Sequence, residues 1–240
     1  MYKTIIFSLV MCLCCSLMLT FTATWLKPYQ LQNILIDQQT NILKSVGLID
    51  SHKIYSDADI SDMYNRSIKC LWLDPSGRVV PTQNTTGSNL LHIYLYMKND
   101  EIEAYAIPID TRGLWGTISG YLALKNDGQT IIGFTVYKHF ETPGLGGEIE
   151  KTWFQKNFQN KKIVNQQGQF VSVGVAKGKA DQSVSIDHHV NFVDGISGAT
   201  LTGKYLTEGF KEILAEYEPV SIQFRQQRAS YLTQGGSCKQ

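Results

Sequence analysis

The chain has 240 residues, a formal net charge of +1, and 18% charged against 43% hydrophobic residues. Near-neutral charge without a basic stripe excludes an electrostatic nucleic-acid binder, and 11% aromatics exclude a solvated, disordered chain. The length suits one globular domain with a core, plus an extra element.

The extra element comes first. The run Thr4–Leu26, TIIFSLVMCLCCSLMLTFTATWL, carries no charge and exceeds the roughly 20 residues that a helix needs to cross a bilayer. Lys3 and Lys27 bracket it, and Tyr2 and Trp25 stand where interfacial aromatics are favoured. A cleaved signal peptide is the competing reading. TFTAT is a poor small-x-small cleavage site and the apolar core is long for a signal, so the segment reads as a retained, single-pass anchor. One lysine on each side does not fix its orientation. The span lacks Asp and Glu, which argues against ion passage through it. Cys12, Cys14 and Cys15 lie inside the anchor and read as small apolar fillers. Cys70 and Cys238 lie outside it and pair only if folding brings them together.

After the anchor, Leu31, Ile34, Leu35, Ile42, Leu43 and Val46 follow helical spacing, with Gly47 as a natural stop. This predicts an amphipathic helix that docks on the domain. Ser56 followed by Asp59 resembles a capping box and predicts a second, short helix. From residue 69 the pattern becomes strand-like. DPSG at 74–77 is a turn. LLHIYLYM and IEAYAIPI flank KNDE, and TISGYLAL and TIIGFTVY flank KNDG, which predicts two hairpins. EIEKTWFQKNF returns to helical spacing, with Ile149, Trp153, Phe154 and Phe158 on one side. KKIV, FVSVGVA and SVSIDHHV read as strands. TLTGKYLTEGFKEILAEY reads as the last helix, with Leu201, Tyr205, Leu206, Phe210 and Ile213 as its apolar set.

The order of elements predicts an α+β fold: one transmembrane helix, then a largely antiparallel β-sheet domain flanked by helices. The expected divisions are an anchor at 4–26, membrane-proximal amphipathic helices at 27–68, an α+β domain at 69–226 and a C-terminal tail at 227–240. A dinucleotide fold is not indicated, because GLGGE at 144–148 lacks the G-x-G-x-x-G spacing and its strand-to-helix context. His188 and His189 are neighbours and would face opposite sides of a strand, so they cannot chelate together. His52 and His92 look incidental, His139 stays open, and no metal ligands are expected.

The stretch DGISGATLTG, 194–203, gathers three glycines and the hydroxyls of Ser197, Thr200 and Thr202 at a helix entrance. Helix N-termini present unpaired amides and a positive dipole end, and glycines let a bulky anion approach the backbone. The block therefore fits a phosphate cradle. Simple capping by Ser197 or Thr200 is the alternative, and both readings stand on the residues alone. A hydrolase elbow, G-x-S-x-G, does not fit, because the second glycine comes one position early.

DGISGAT resembles the flavinylation motif D-x-x-[ST]-G-A-T of the FMN-binding domain family, with Asp194 and Gly195 as its leading residues. The resemblance implies FMN held covalently, as a phosphoester to the hydroxyl of Thr200, in an FMN-binding domain over 69–226. A threonine hydroxyl is a poor nucleophile unaided, and the family implies a separate flavin transferase that uses FAD and magnesium. TRGLWGTISGYLAL, 111–124, and HFETPGLGGEI, 139–149, resemble flavin-lining segments of the same family. With the anchor and the helix after it, these stretches resemble the C subunits of sodium-translocating NADH:quinone reductases. The G subunits of ferredoxin-linked Rnf complexes are the alternative. A membrane-anchored binding or assembly module without redox function is the rival of a different class.

On this resemblance Leu114 and Trp115 are expected to pack on the flavin ring, with Gly116 and Thr117 in the close-approach loop. Glu141, Thr142 and the amides near Gly144 are expected to orient polar flavin atoms, and Leu145 to give apolar cover. Ser197, Gly198 and Ala199 would join Thr200 around the phosphate, with Lys177 near it. No residue is expected to be catalytic: the chain relays electrons and the flavin carries the chemistry. The resemblance further implies other membrane and redox subunits as partners, no nucleic acid, and a bacterial inner-membrane location with the domain on the periplasmic side.

Overall fold

The computed structural model describes residues 2–50, 53–80, 90–229 and 232. His52, Cys238 and most of the 227–240 tail lie outside the described residues. The chain divides into two compact units, residues 1–38 and 39–240.

The first unit belongs to helix α1, Tyr2–Ser45. It is long and apolar enough to cross a membrane. The anchor and the amphipathic segment after it are thus one continuous helix. Pro28 sits inside α1; proline removes one backbone donor but leaves the rest of the ladder available. Thr22 and Thr24 turn their hydroxyls back to the carbonyls of Met18 and Thr20, at 2.8 Å each. This is how a hydroxyl is satisfied in an apolar helix. Leu31, Ile34 and Leu35 remain exposed, whereas Asn41, Ile42, Leu43 and Ser45 are buried at the C-terminal end of α1 in the second unit. Helix α2, Asp57–Ser67, follows, and its capping box is complete: Ser56 Oγ accepts from the Asp59 amide and the Asp59 carboxylate accepts from the Ser56 amide.

Five strands then form an antiparallel meander in sequence order: β1 (Ile68–Leu73), β2 (Leu91–Lys98), β3 (Glu101–Arg112), β4 (Thr117–Lys125) and β5 (Ile131–Lys138). Both expected hairpins are present. The β2–β3 turn places Asn99 and Asp100 at φ 52° and 63°, as a two-residue turn of positive φ requires. In the β4–β5 turn, Asp127 Oδ1 accepts from the amides of Gln129 and Thr130 at 2.9 and 2.8 Å.

One face of the sheet carries Leu71, Leu73, Ile93, Leu95, Tyr105, Ile107 and Ile109, all buried. Helix α5, Thr200–Arg225, covers it with Leu206, Phe210, Leu214, Tyr217 and Phe224. Each such side chain stabilises the fold by about 1.5–3 kcal/mol on burial. Helix α5 runs past Pro219 to Arg225, beyond the Tyr217 end expected from sequence, because Val220 and Phe224 continue its buried stripe. Phe134 of β5 packs against Phe158 and Phe210 at centroid distances of 4.7 and 5.2 Å.

The stretch between β5 and α5 is less regular than expected. EIEKTWFQKNF gives a 3-10 turn, Gly146–Glu150, and short helix α3, Thr152–Lys156. Ile149, Phe154 and Phe158 are buried, but Trp153 is 48% exposed and donates through Nε1 to Glu148. KKIV and FVSVGVA yield only isolated bridges and the two-residue strand β6, Gly174–Val175, which pairs in parallel with β7, Phe192–Val193. SVSIDHHV is not a strand. Helix α4, Ala180–Ser183, leads into it, and Ile186–Asn191 forms a 3-10 turn. Its alternating apolar residues are not buried: Ile186 is 80% exposed and Val190 40%. Asn191 instead fixes the segment, donating to the carbonyls of Lys162 and Val164 at 2.7 and 2.9 Å.

Candidate functional site

Three chain segments meet in the second unit. They are the β3–β4 loop, 113–116; the loop after β5, 139–147; and the start of α5. Together they line a cleft of about 310 Å³, within the range of small-molecule sites.

The β3–β4 loop is closed by a hydrogen bond from Gly113 N to Gly116 O at 2.7 Å. Leu114 and Trp115 line the cleft from this loop, and Trp115 remains 70% exposed. A Cβ on Gly116 would lie 2.6 Å from the ring of Phe140, so the two loops stack tightly. In the second loop, Leu145 N and Gly147 N both donate to Thr142 O, and Gly144 takes a positive φ of 75°. This turn presents Leu145, 44% exposed, to the cleft.

Glu141 ties the segments together. It is 4% exposed. Its Oε1 accepts from the Trp115 amide at 3.0 Å and its Oε2 from the Thr202 hydroxyl at 2.5 Å. The Glu141 amide in turn donates to His139 Nδ1 at 3.1 Å, and His139 Nε2 faces Glu150 Oε2 at 3.2 Å. Accepting at Nδ1 leaves the ring proton on Nε2, pointed at the carboxylate. The Lys151 ammonium and the His139 ring hold the Glu150 carboxyl below its ordinary range.

Helix α5 begins without a cap. Ala199 stands at the N-cap position and no side chain caps the helix. Thr200, Leu201 and Thr202 form the opening turn, and all three line the cleft. The uncapped amides and the positive end of a 26-residue helix therefore face the cleft. This removes the capping alternative, since neither Ser197 nor Thr200 closes the helix. Gly198 adopts φ 75°, and a Cβ there would lie 2.8 Å from Leu145 Cδ2. Thr200 is exposed on the cleft side.

Of the residues expected from sequence, the cleft brings together Leu114, Trp115, Glu141, Thr142, Leu145, Gly198, Ala199 and Thr200. Gly116, Thr117, Gly144, Lys177 and Ser197 do not line it. Gly116 and Gly144 shape the two loops, and Thr117 pairs with Arg112 at the start of β4. Asp194 and Gly195 brace the loop that carries Lys177: Asp194 Oδ1 accepts from Ala180 N at 2.8 Å, and Gly195 N donates to Gly178 O at 2.7 Å. Gly146, Leu201 and Thr202 complete the lining and lie outside the expected set. Thr202 carries a sequence signal, since the third residue of a helix also points its amide at an N-terminal ligand. Leu201 fits the periodicity of the core stripe, yet it is 50% exposed at the cleft.

The residues fit a phosphate-bearing, ring-containing cofactor. The helix start suits the phosphate, and exposed Leu114, Trp115 and Leu145 suit a flat apolar ring. Among the described residues, no group of three or more His, Cys, Asp and Glu is placed to hold a metal ion.

Residues 113–215 match the family model described as "FMN-binding domain". That span contains all three cleft segments. The chain is 31% identical to the C subunit of the Na(+)-translocating NADH-quinone reductase of Yersinia pestis, over 89% of this chain and 88% of that protein. It is also 31% identical to the protein of the same name from Pseudomonas aeruginosa, over 84% and 87%. Among solved structures it resembles the C subunit of the same reductase from Parabacteroides distasonis, with TM-score 0.68, 28% identity, and coverage of 83% of this chain and 96% of that one. The NqrC structure from Shewanella oneidensis, at 20% identity and TM-score 0.66, covers 81% and 98% and shares the fold.

Proposed function

The chain belongs to the C-subunit family of Na(+)-translocating NADH-quinone reductases, and we propose that its cleft holds FMN as a phosphoester of Thr200. It is an FMN-binding flavoprotein subunit of a multisubunit oxidoreductase, anchored to a membrane and working beside the other subunits of that complex. Bound FMN supplies the redox chemistry, and this chain supplies position and surroundings.

The observation that carries the reading is the uncapped start of α5. Thr200 is the first residue of that helix and lines the cleft with Leu201 and Thr202. A phosphate at this position meets unpaired amides and the positive helix end, with the Thr200 hydroxyl beside it. Leu114, Trp115 and Leu145 then offer apolar surface to the flavin ring, and Glu141 holds the Trp115 loop in place. Lys177 belongs to the flanking loop that Asp194 and Gly195 brace, and we assign it an outer, electrostatic role. Since a threonine hydroxyl needs activation, a flavin transferase installs the group. We take residues 4–26 as the anchor, 27–68 as membrane-proximal, 69–226 as the flavin domain and 227–240 as the tail.

We place the domain on the periplasmic side of a bacterial inner membrane. Cys70 is disulfide-bonded, whereas Cys12, Cys14 and Cys15 within α1 are free. A disulfide outside the anchor suits an oxidising compartment.

Co-expression of the full chain with a flavin transferase tests the reading. The wild type is expected to fluoresce as a flavin band on a denaturing gel, and Thr200→Val to lose that band. A dark wild-type band favours the binding or assembly module instead.

A further inference from the structure

Seating a flavin does not by itself require a buried carboxylate, yet Glu141 is one. It is 4% exposed and lines the cleft. Both its oxygens accept hydrogen bonds, one from the Trp115 amide and one from the Thr202 hydroxyl. The acceptor sites of a carboxylate are thus both occupied by donors. Among the described residues no lysine, arginine or histidine forms an ion pair with it. His139, its near neighbour, spends Nδ1 on the Glu141 amide and turns Nε2 to Glu150.

The backbone makes room for this group at two places. A Cβ on Gly113 would lie 2.5 Å from Glu141 Oε1, and one on Gly146 would lie 2.6 Å from Oε2 and 2.5 Å from Thr202 Oγ1. Two of the glycines in TRGLWG and GLGGE are thus explained by the carboxylate between them. Burying a charge without an ionic partner is costly even beside a helix N-terminus, and an apolar or amide side chain would avoid that cost. A carboxylate buried this deeply is screened less than one in water and acts more strongly on whatever else the cleft holds.

We propose that Glu141 is a fixed negative charge that lowers the reduction potential of the flavin in this cleft. The inference rests on reading the cleft as the flavin seat. FMN held by these residues would take its electrons from a neighbouring redox centre and any protons from solvent, and would pass the electrons to the next centre, with Glu141 as a fixed charge beside that exchange. A nearby carboxylate disfavours the electron-rich form and leaves the oxidised form comparatively favoured. The same side chain positions the Trp115 loop, so its charge and its hydrogen bonds have separable effects.

The test is a potentiometric titration of the full-length, flavinylated protein in detergent, followed by flavin absorbance. Glu141→Gln keeps the size of the side chain and removes the charge. Its potential is expected to rise by about 30 mV or more, which is a tenfold shift in a two-electron equilibrium. Thr202→Val removes the donor on Oε2 and leaves the charge less compensated, so its potential is expected to fall. A purely structural role would move both variants the same way. An unchanged potential in Glu141→Gln, or shifts of the same sign in both, overturns the proposal. If Glu141→Gln does not accumulate, Thr202→Val decides alone: a fall supports the proposal, and no change or a rise contradicts it. A wild type that carries no flavin sinks the reading of the cleft itself, whereas flavin present at one common potential sinks only this inference.

Discussion

The Thr202 hydroxyl donates to Glu141 Oε2 at 2.5 Å, across 61 residues of sequence. This bond joins the first turn of α5 to the loop after β5, and Glu141 Oε1 extends the link to the Trp115 amide. One buried side chain therefore fixes the relative positions of all three segments of the cleft.

Gly146 packs its backbone directly on that bond. A Cβ there would lie 2.5 Å from Thr202 Oγ1 and 2.6 Å from Glu141 Oε2, and neither group can withdraw without losing its partner. Gly146→Ala is expected to destabilise the domain by about 1–3 kcal/mol, the usual range for overpacking. It should also lower the yield of flavinylated protein. Thermal unfolding and flavin absorbance check the two effects, and a fully stable, fully flavinylated variant contradicts the account.

Gly209 lies inside α5, where alanine is intrinsically favoured by about 1 kcal/mol. Packing opposes that preference. A Cβ on Gly209 would overlap the Oγ1 and Cβ atoms of Thr111, so the helix rides against β3 only because no side chain intervenes. Gly209→Ala is expected to destabilise by about 1–3 kcal/mol net. Thr111→Gly in the same chain should recover part of that loss, which a double-mutant cycle in chemical denaturant measures. Simple additivity of the two changes would show that the contact does not matter.

Asp74 governs an acid-sensitive contribution to stability. The Ser76 hydroxyl and the Arg78 amide donate to its carboxylate and hold its pKa below the ordinary 3.8. A depressed folded pKa stabilises the fold fully above the unfolded value, and that stability is lost as pH falls through the folded value. The stability difference between wild type and Asp74→Asn is therefore expected to be level above pH 3.8 and to shrink below it. Denaturant unfolding across that window checks the sign. A difference that grows with acid contradicts it.

Cys70 is disulfide-bonded and the three anchor cysteines are free. Alkylation of the unreduced, denatured protein purified from its membrane is expected to label Cys12, Cys14 and Cys15 but not Cys70. Reduction should lower the unfolding midpoint, consistent with the roughly 2–4 kcal/mol a disulfide typically contributes. Labelling of Cys70 without reduction would remove the argument for an oxidising compartment.

Regular elements are legible in the sequence because local rules and tertiary packing agree there. Ser56 and Asp59 announce α2, and KNDE and KNDG announce hairpins, the first of which places two residues at positive φ. The stretch from 160 to 193 is not legible. It is held by single contacts such as Asn191 to the carbonyls of Lys162 and Val164, which leave no periodic trace. Within the site, the motif around Thr200 points to the cleft, but Asp194 braces a neighbouring loop instead of lining it. The place of Thr202 at the helix entrance is legible in the sequence, but the bond from its hydroxyl to Glu141, a partner distant along the chain, is not. The end of α5 is hidden by Pro219, since proline usually stops a helix, whereas the buried stripe through Val220 and Phe224 carries it onward.

The most direct test is the mass of the peptide containing Thr200, from full-length protein made together with a flavin transferase. The account predicts that this peptide carries one added FMN, with fragmentation placing the phosphoester on Thr200 and not on Ser197 or Thr202. An unmodified Thr200 in folded, fully processed protein would contradict it.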